Sequence, residues 1–298
     1  MAANGTTWLP HLALTLLIAI WAGSFVVAKV AMATVSPFAL VASRFLIGTL
    51  CILPLFLRTS TARRRGTLGP GLLAGAVLAV PYFLQMYGVR ETTASMGGFV
   101  TGLIVLLVAL GGHFFFGARI GPKTLLGLAL GLSGIVVLCL TGDDTNDPQQ
   151  HNTVRGILLQ VGAAIGFAAH ILLLSHFGRK LAVAPFTFWQ LAFTGAISTA
   201  ATLLISGIAA DGSSGIAVTT ELLLAFFYLG VLATGVAIAV QANVQHRIPP
   251  THVALLFALQ PLFAALAGFL CQGDRLSAGQ WAGGGLIVVG VIAAARDR

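Results

Sequence analysis

Two ionisable side chains, Arg44 and His170, lie well inside long apolar runs of this 298-residue sequence. Burying such a group in hydrocarbon costs about 2.5 to 3.5 kcal/mol on insertion scales, so it usually marks a solute path or a pairing partner. Arg44 could hold a substrate carboxylate, or it could equally pair with a helix C-terminus. His170 could carry a proton, although a hydrogen-bonded packing histidine is the commoner role. No Asp or Glu lies in the middle of an apolar run.

A second group of polar and aromatic residues recurs near the middle of the apolar runs. Together they offer flat apolar walls with a few hydrogen-bonding groups, which is the usual composition of a small-molecule pocket. Each could also be core or membrane-interface material, and this applies most to Trp189 and Tyr228. The residues predicted to bind substrate are Trp21, Ser24, Tyr82, Gln85, Phe99, Thr101, His170, Trp189, Gln241 and Gln260.

Pro81 and Pro261 lie within two of the apolar runs. A proline removes a backbone donor, and broken helices are tolerated in a bilayer chiefly where they face protein or a water-filled cavity. Both prolines are therefore predicted gates or hinges, with simple kinking as the alternative. Four GxxxG pairs favour close helix packing over hinge motion; they are Gly71/Gly75, Gly98/Gly102, Gly127/Gly131 and Gly162/Gly166.

One motif suggests an enzyme. Gly131-Leu132-Ser133-Gly134 matches the GxSG pattern of intramembrane serine proteases, which pair that serine with a membrane histidine. Gly134 recurs as Gly290 in the second half of the chain, which indicates that it is a packing residue of a repeat. We therefore expect no catalytic residue here. A purely structural membrane-assembly subunit is the other alternative.

Composition identifies a polytopic membrane protein. The chain is 57% hydrophobic and 8% charged, whereas soluble domains carry about 25% charged residues. The net charge of +8 could suggest nucleic acid, but the basic residues lie in short loops, where they set membrane orientation. The three cysteines lie inside apolar runs without metal-ligand spacing. We therefore expect no nucleic acid, metal or cofactor.

The apolar runs predict ten transmembrane helices, five on each side of a polar linker at 142–153. The two expected domains are residues 1–141 and 154–298. Placing both termini in the cytoplasm puts eleven Lys and Arg residues inside and only Lys29, Arg90, Arg155 and Arg275 outside, as the positive-inside rule requires. The inside set is Arg58, Arg63, Arg64, Arg65, Arg119, Lys123, Arg179, Lys180, Arg247, Arg296 and Arg298.

The two halves repeat each other. The sequence from Phe116 aligns with that from Gln272 at a constant offset of 156, which pairs Arg119 with Arg275, Gly127 with Gly283 and Gly134 with Gly290. An odd number of spans in each half forces the second copy to enter the membrane in the opposite direction. The fold class is therefore predicted to be all-α, with two inverted five-helix repeats and a pocket where they meet.

These residues resemble the EamA-type members of the drug/metabolite transporter superfamily. Trp21-Ala22-Gly23-Ser24-Phe25 with Lys29 fits the first helix of that family, and Gln260-Pro261-Leu262, Asp274-Arg275 and Gly283 to Gly290 fit the end of a repeat. The first half departs from the pattern at Ala118 and Val105, and Asp274 stands where the family usually has Glu. The resemblance implies a carrier of amino acids, drugs, nucleotide sugars or other metabolites, and is strongest to the aromatic amino acid exporters.

From the residues and the resemblance together we expect a carrier in a bacterial inner membrane that moves small amphipathic metabolites outward by alternating access. Amino acids with aromatic or hydrophobic side chains are the expected substrates, and nucleotide sugars or drugs are the alternative. Movement is expected to follow the solute gradient, or to be coupled through His170. The expected partners are the substrate and the lipid bilayer, without an obligatory protein partner.

Overall fold

The computed structural model describes residues 8–117, 119–141, 151–177, 181–208, 219–244, 253, 256–257 and 259–296, and these residues contain helices and no strand. The first half comprises α1 (Trp8–Ala31), α2 (Pro37–Leu57), α3 (Thr61–Arg90), α4 (Ala94–Thr101), α5 (Leu103–Phe116) and α6 (Pro122–Leu140). The second comprises α7 (Val154–Phe177), α8 (Val183–Ile208), α9 (Thr220–Phe226), the π-helix (Phe227–Val236), α10 (Ala237–Val244), α11 (Gln260–Gln272) and α12 (Ala278–Ala295).

Nine helical stretches in the described part of the chain are long and apolar enough to cross a bilayer, and α11 is a shorter apolar helix of 13 residues. This confirms the all-α membrane fold. Residues 142–150 of the predicted linker lie outside the described residues. So do Arg179, Lys180, Arg247 and Arg298, and the cytoplasmic placement of both termini stays a prediction.

Local sequence signals explain several helix ends. Ser36, Thr93 and Ser277 each stand just before a helix, and each side-chain oxygen accepts a backbone N–H of the first turn. Helices α5 and α11 both end at a glycine in the left-handed region, Gly117 and Gly273, each with φ 66°. These two glycines are 156 positions apart, so the repeat extends to backbone conformation.

Helices α6 and α12 pack against each other through glycines, and this contact establishes the inversion. A Cβ added to Gly290 would lie 2.6 Å from the Gly127 carbonyl oxygen, and one added to Gly127 would lie even closer to the Gly290 carbonyl oxygen. The same reciprocal contact joins Gly134 and Gly283, at 2.6 and 2.9 Å. Residue numbers rise along one helix as they fall along the other, so these equivalent helices are antiparallel. Each contact also maps onto the other under the 156 offset, as a two-fold relation requires.

Each half contains an interrupted span at the corresponding position. In the first half the break is Gly102, between α4 and α5. In the second half α11 begins just after a turn at Leu259, which differs from the equivalent of Gly102 by one position. Pro261 occupies the first turn of α11, where its missing N–H leaves no helical hydrogen bond unmade.

Pro81 behaves differently from Pro261. Helix α3 continues through both Pro70 and Pro81 as one helix, so span three is not interrupted there as the sequence suggested. The Pro81 ring packs against Gly166 of α7, where an added Cβ would lie 2.9 Å from the proline Cβ. The small partner accommodates the ring, which explains how the helix tolerates the proline.

The glycine contact between α6 and α12 leads to a stability prediction. We expect Gly134→Ala and Gly283→Ala each to destabilise the protein by about 1–3 kcal/mol, because the added Cβ meets the backbone of the facing helix, which cannot rotate aside. The thermal unfolding midpoint in detergent measures the effect. Gly285→Ala on α12 is the matched control, since an added Cβ there meets nothing within 4 Å. Equal midpoints for all three variants would contradict the packing described.

Candidate substrate site

Arg44 of α2 lies in a buried and uncharged environment, with 3% of its surface exposed. Its Nε donates to Thr234 Oγ1 at 2.7 Å, and its Nη2 donates to the Ala233 carbonyl at 3.3 Å. The guanidinium carbon stands 4.9 Å from the ring centroid of Tyr82. Within the described ranges no carboxylate forms an ion pair with Arg44, and Nη1 makes no hydrogen bond. The partner found for Arg44 is therefore a π-helix carbonyl and a hydroxyl, not a helix C-terminus.

The π-helix makes this arrangement possible. Its wider turn takes Ala233 out of the ordinary pattern, and the Ala233 carbonyl accepts from Trp21 Nε1 at 2.9 Å as well as from Arg44. Thr234 Oγ1 in turn donates to the Leu229 carbonyl, five residues earlier. π-Helical turns are rare and are frequent at functional sites. The sequence of Phe227–Val236 is mostly apolar and carries no sign of this departure from an α-helix.

The Arg44 guanidinium faces the Tyr82 ring, and further aromatic rings lie on the neighbouring helices. Tyr82 meets Phe45 and Phe167 edge to face, with centroid distances of 4.7 and 5.0 Å. Trp21 is tilted against Phe257 at 6.0 Å. Tyr228 donates its hydroxyl to the Ile20 carbonyl at 2.8 Å and lies over Gly23. That these rings line a substrate pocket stays a prediction.

Polar groups complete this region. Ser24 donates to the Trp21 carbonyl at 2.6 Å, so its hydroxyl oxygen can still accept. Gln85 lies one turn after Tyr82 on α3; the residue is 8% exposed, and its amide makes no hydrogen bond with the described residues. Trp21, Ser24 and Tyr82 are thus connected to Arg44 through hydrogen bonds and a ring contact. Gln85 lies one turn further along α3.

The other predicted residues have different surroundings. His170 Nε2 lies 3.1 Å from Gln190 Oε1 in a buried pair between α7 and α8. Trp189 donates to the Arg64 carbonyl near the N-terminal end of α3, so it lies near the membrane surface.

The remaining predicted residues lie on α4, α10 and α11. Thr101 donates to the Gly97 carbonyl within its own helix, and Phe99 packs against Trp281 of α12. Gln260 is a buried residue that starts α11, and Gln241 is half-buried in α10.

A polar network, called the closing network below, ties the two halves together at the end of the molecule that the charge count predicts to lie outside. Asp274 is 3% exposed, and its Oδ2 accepts from Ser95 N and Oγ at 3.1 and 2.7 Å at the start of α4. Asn152 Oδ1 accepts from Thr93 N at 2.8 Å, and Lys29 donates to the Thr92 carbonyl at 2.7 Å. An anion at a helix N-terminus is favourable. The contact between Asp274 and Ser95 joins the second half to the first.

Gln160 of α7 is a functional candidate that the sequence reasoning missed. It is 2% exposed, and both polar atoms of its amide are buried without a hydrogen-bond partner among the described residues. Its side chain packs against Gly88 and Gly97, one turn from where Gly156 contacts the closing network. Each unmade bond costs about 1–3 kcal/mol. A glutamine isolated in an apolar run was the available signal, but only the packing shows that the amide is unpaired.

The comparisons with known proteins match both halves of the chain separately. The EamA-like transporter family model covers residues 8–140 and again residues 154–296. The chain belongs to this family. Its members are transporters, so the protease alternative is dropped. The structure agrees, since Ser133 is exposed on α6 while Gly134 packs against α12.

Several relatives extend over nearly the whole chain. An uncharacterized transporter of Archaeoglobus fulgidus is 27% identical, with 94% of this chain and 84% of the relative covered. A protein of Escherichia coli K12 described as a probable amino-acid metabolite efflux pump is 26% identical, with 93% and 91% covered. A crystal structure superposes with a TM-score of 0.61 at 24% identity and covers 94% of this chain and 95% of that chain, which supports the fold.

The closing network leads to a second stability prediction. Asp274→Ala removes the acceptor for both Ser95 groups, so we expect a loss of about 1.5–3 kcal/mol, as for hydrogen bonds to charged groups. Ser95→Ala removes only the hydroxyl contact and should cost less. Arg155→Gln breaks the exposed pair with Glu91 and should cost about 0–1 kcal/mol. Thermal unfolding in detergent ranks the three variants, and a larger loss for Arg155→Gln than for Asp274→Ala would contradict the assignment.

Proposed function

We propose that the chain exports small amphipathic metabolites, above all amino acids with aromatic or hydrophobic side chains, by alternating access through a cavity between its two halves. Membership of a transporter family supports transport, and two relatives, from Escherichia coli and Salmonella typhimurium, are described as probable amino-acid metabolite efflux pumps. The observation that carries the proposal is the buried Arg44 guanidinium with neutral neighbours and aromatic walls.

The charge balance at Arg44 favours an anionic substrate. A buried cation pays a desolvation penalty that a neutral hydroxyl and a carbonyl offset only in part. A substrate carboxylate would supply the missing countercharge, and a guanidinium binds carboxylates through paired hydrogen bonds. Arg44 Nη1 has no partner within the described structure and is available for the first of these bonds. An amino acid provides that carboxylate.

The remaining groups fit the rest of an amino acid. The rings of Trp21, Tyr82 and Phe167 suit an apolar or aromatic side chain. The Gln85 carbonyl oxygen and the Ser24 hydroxyl oxygen are acceptors for an ammonium group. A nucleotide sugar fits less well, because it carries two phosphates and Arg44 is the only fully buried basic side chain among the described Lys and Arg residues.

Alternating access follows from the inverted repeat. Because the halves are equivalent and antiparallel, exchanging their conformations opens one end as it closes the other. In the present conformation the network around Asp274 holds the end predicted to face outward closed. Pro261, at the first turn of α11, is the proposed hinge in the second half, and Pro81 is the candidate in the first. Because the Gln160 amide is unpaired in the closed arrangement, leaving that arrangement costs less free energy.

We propose that transport is not coupled to an ion, so that the solute moves down its own concentration gradient across a bacterial inner membrane. Among the described residues no carboxylate lies in the middle of a span, and His170 is hydrogen-bonded to Gln190. Counterflow in proteoliposomes with and without a pH gradient measures this directly. Unequal rates under the two conditions would contradict uncoupled transport.

The carboxylate role of Arg44 predicts a change in selectivity. In proteoliposomes that exchange labelled phenylalanine, unlabelled phenylalanine should compete at least about tenfold better than phenethylamine, which lacks the carboxylate; this corresponds to about 1.4 kcal/mol. Arg44→Gln should abolish that preference, and Arg44→Lys should keep part of it because the charge remains. Arg90→Gln, an exposed change at the far end of α3, is the control.

The outcomes separate recognition from a structural role. Arg44→Gln protein that elutes as a single species and still prefers phenylalanine over phenethylamine as the wild type does would reject Arg44 as the carboxylate partner. Loss of folded protein in Arg44→Gln alone would leave Arg44→Lys to decide, since a purely structural arginine predicts an unchanged substrate preference in the folded lysine variant.

A further inference from the structure

Helix α3 projects beyond the membrane at its N-terminal end. It has 30 residues and is therefore about 45 Å long, whereas the hydrocarbon layer is about 30 Å thick. Arg63, Arg64 and Arg65 lie in its first turns, so this end stands at the bilayer surface. The charge count places it on the cytoplasmic side.

The three arginines do not share one role. Arg64 turns inward: its Nε donates to the Thr59 carbonyl at 2.7 Å, it also donates to the Leu57 carbonyl, and its guanidinium stacks on Phe56 at 4.8 Å. These contacts cap the end of α2. Arg63 and Arg65 are exposed, and neither forms an ion pair with a described residue. Their charges are available to an external anion.

A cleft of about 360 Å³ lies beside Arg63. Its lining consists of Arg63, Gly66, Thr67, Leu181 and Ala182. The Thr67 hydroxyl already donates to the Arg64 carbonyl at 2.9 Å, so the Arg63 guanidinium is the main polar group among the described lining residues. The other described lining residues are Gly66, Leu181 and Ala182. The cleft also joins the two halves, because α3 belongs to the first and Leu181 and Ala182 precede α8 in the second.

An apolar strip runs along α3 from this cleft into the membrane. Gly66, Gly69, Leu73 and Val80 follow the spacing of one helix face, and all four are exposed. A Cβ added to Gly66 or Gly69 would meet nothing within 4 Å, so the strip is open next to the cleft. Leu73 and Val80 continue it at hydrocarbon depth, with 49% and 56% exposure.

We propose that this cleft binds an anionic phospholipid, with the phosphate on Arg63 and an acyl chain along the strip from Gly66 to Val80. The basic cleft and the adjoining apolar strip together favour a phospholipid over a soluble anion. A guanidinium at the bilayer surface attracts a phosphate, and the exposed charges of Arg58 and Arg65 add to the local positive potential. A soluble phosphate would leave the adjoining apolar strip unused. The bound lipid would contact both halves of the carrier at the end opposite the Asp274 network.

The test is lipid binding to the purified full-length protein in a neutral detergent, measured by native mass spectrometry. Dioleoyl phosphatidylglycerol should bind at least fivefold more tightly than dioleoyl phosphatidylcholine. Arg63→Gln should remove that preference. Gly66→Leu fills the open start of the strip without changing charge, and it should weaken both lipids at least threefold.

Two matched controls keep the result specific. Arg90→Gln makes the same charge change at the far end of α3, and Gly285→Leu makes the same steric change where an added Cβ also meets nothing within 4 Å; both should bind lipid as the wild type does. A wild type without headgroup preference, an unchanged preference in Arg63→Gln, or equal losses in the controls would overturn the proposal. So would displacement of phosphatidylglycerol by millimolar inorganic phosphate, which would indicate a soluble-anion site.

Discussion

The contact between α6 and α12 depends on the absence of side chains at four positions. Where Gly127 faces Gly290 and Gly134 faces Gly283, the two backbones approach so closely that a single methyl group would collide with a carbonyl oxygen. In lipid such helices associate through close packing and not through hydrophobicity. Because the four glycines are equivalent in pairs, the same contact fixes both the antiparallel direction of the halves and their two-fold relation. The contact between Asp274 and Ser95 also joins the two halves, at the end that the charge count predicts to lie outside.

The contacts of Arg44 also show how a backbone carbonyl inside a membrane-spanning helix can bind side chains of other helices. The π-helix between Phe227 and Val236 presents the Ala233 carbonyl to two side-chain donors from other helices. That carbonyl holds Trp21 and Arg44 together, so a departure from regular structure in one half positions side chains of the other. Among the described residues, the buried amide of Gln160 is a further departure, since neither of its polar atoms has a hydrogen-bond partner there.

Much of this fold could be predicted from the sequence, because the length of the apolar runs is a local signal and the 156-residue offset shows directly that the halves repeat. The all-α membrane fold and its two repeats followed from them. The π-helix could not be predicted, since its apolar sequence also fits an α-helix. Neither could the burial of Asp274, because its partner Ser95 is 179 positions away. Among the predicted site residues, Trp21 and Tyr82 both contact Arg44 or its partner carbonyl, whereas Trp189 lies near the membrane surface. The sequence could not separate them, because the residue type shows neither how deep a side chain lies in the membrane nor which residues it contacts.

The inverted arrangement in the membrane is tested most directly by the equivalent residues Arg119 and Arg275, both exposed just beyond the ends of equivalent helices. In a variant whose three cysteines are replaced, Arg119→Cys and Arg275→Cys are introduced separately and treated with a membrane-impermeant maleimide on intact cells. The account predicts that Arg275→Cys reacts from outside and that Arg119→Cys reacts only after permeabilisation. Labelling of both variants from the same side would contradict it.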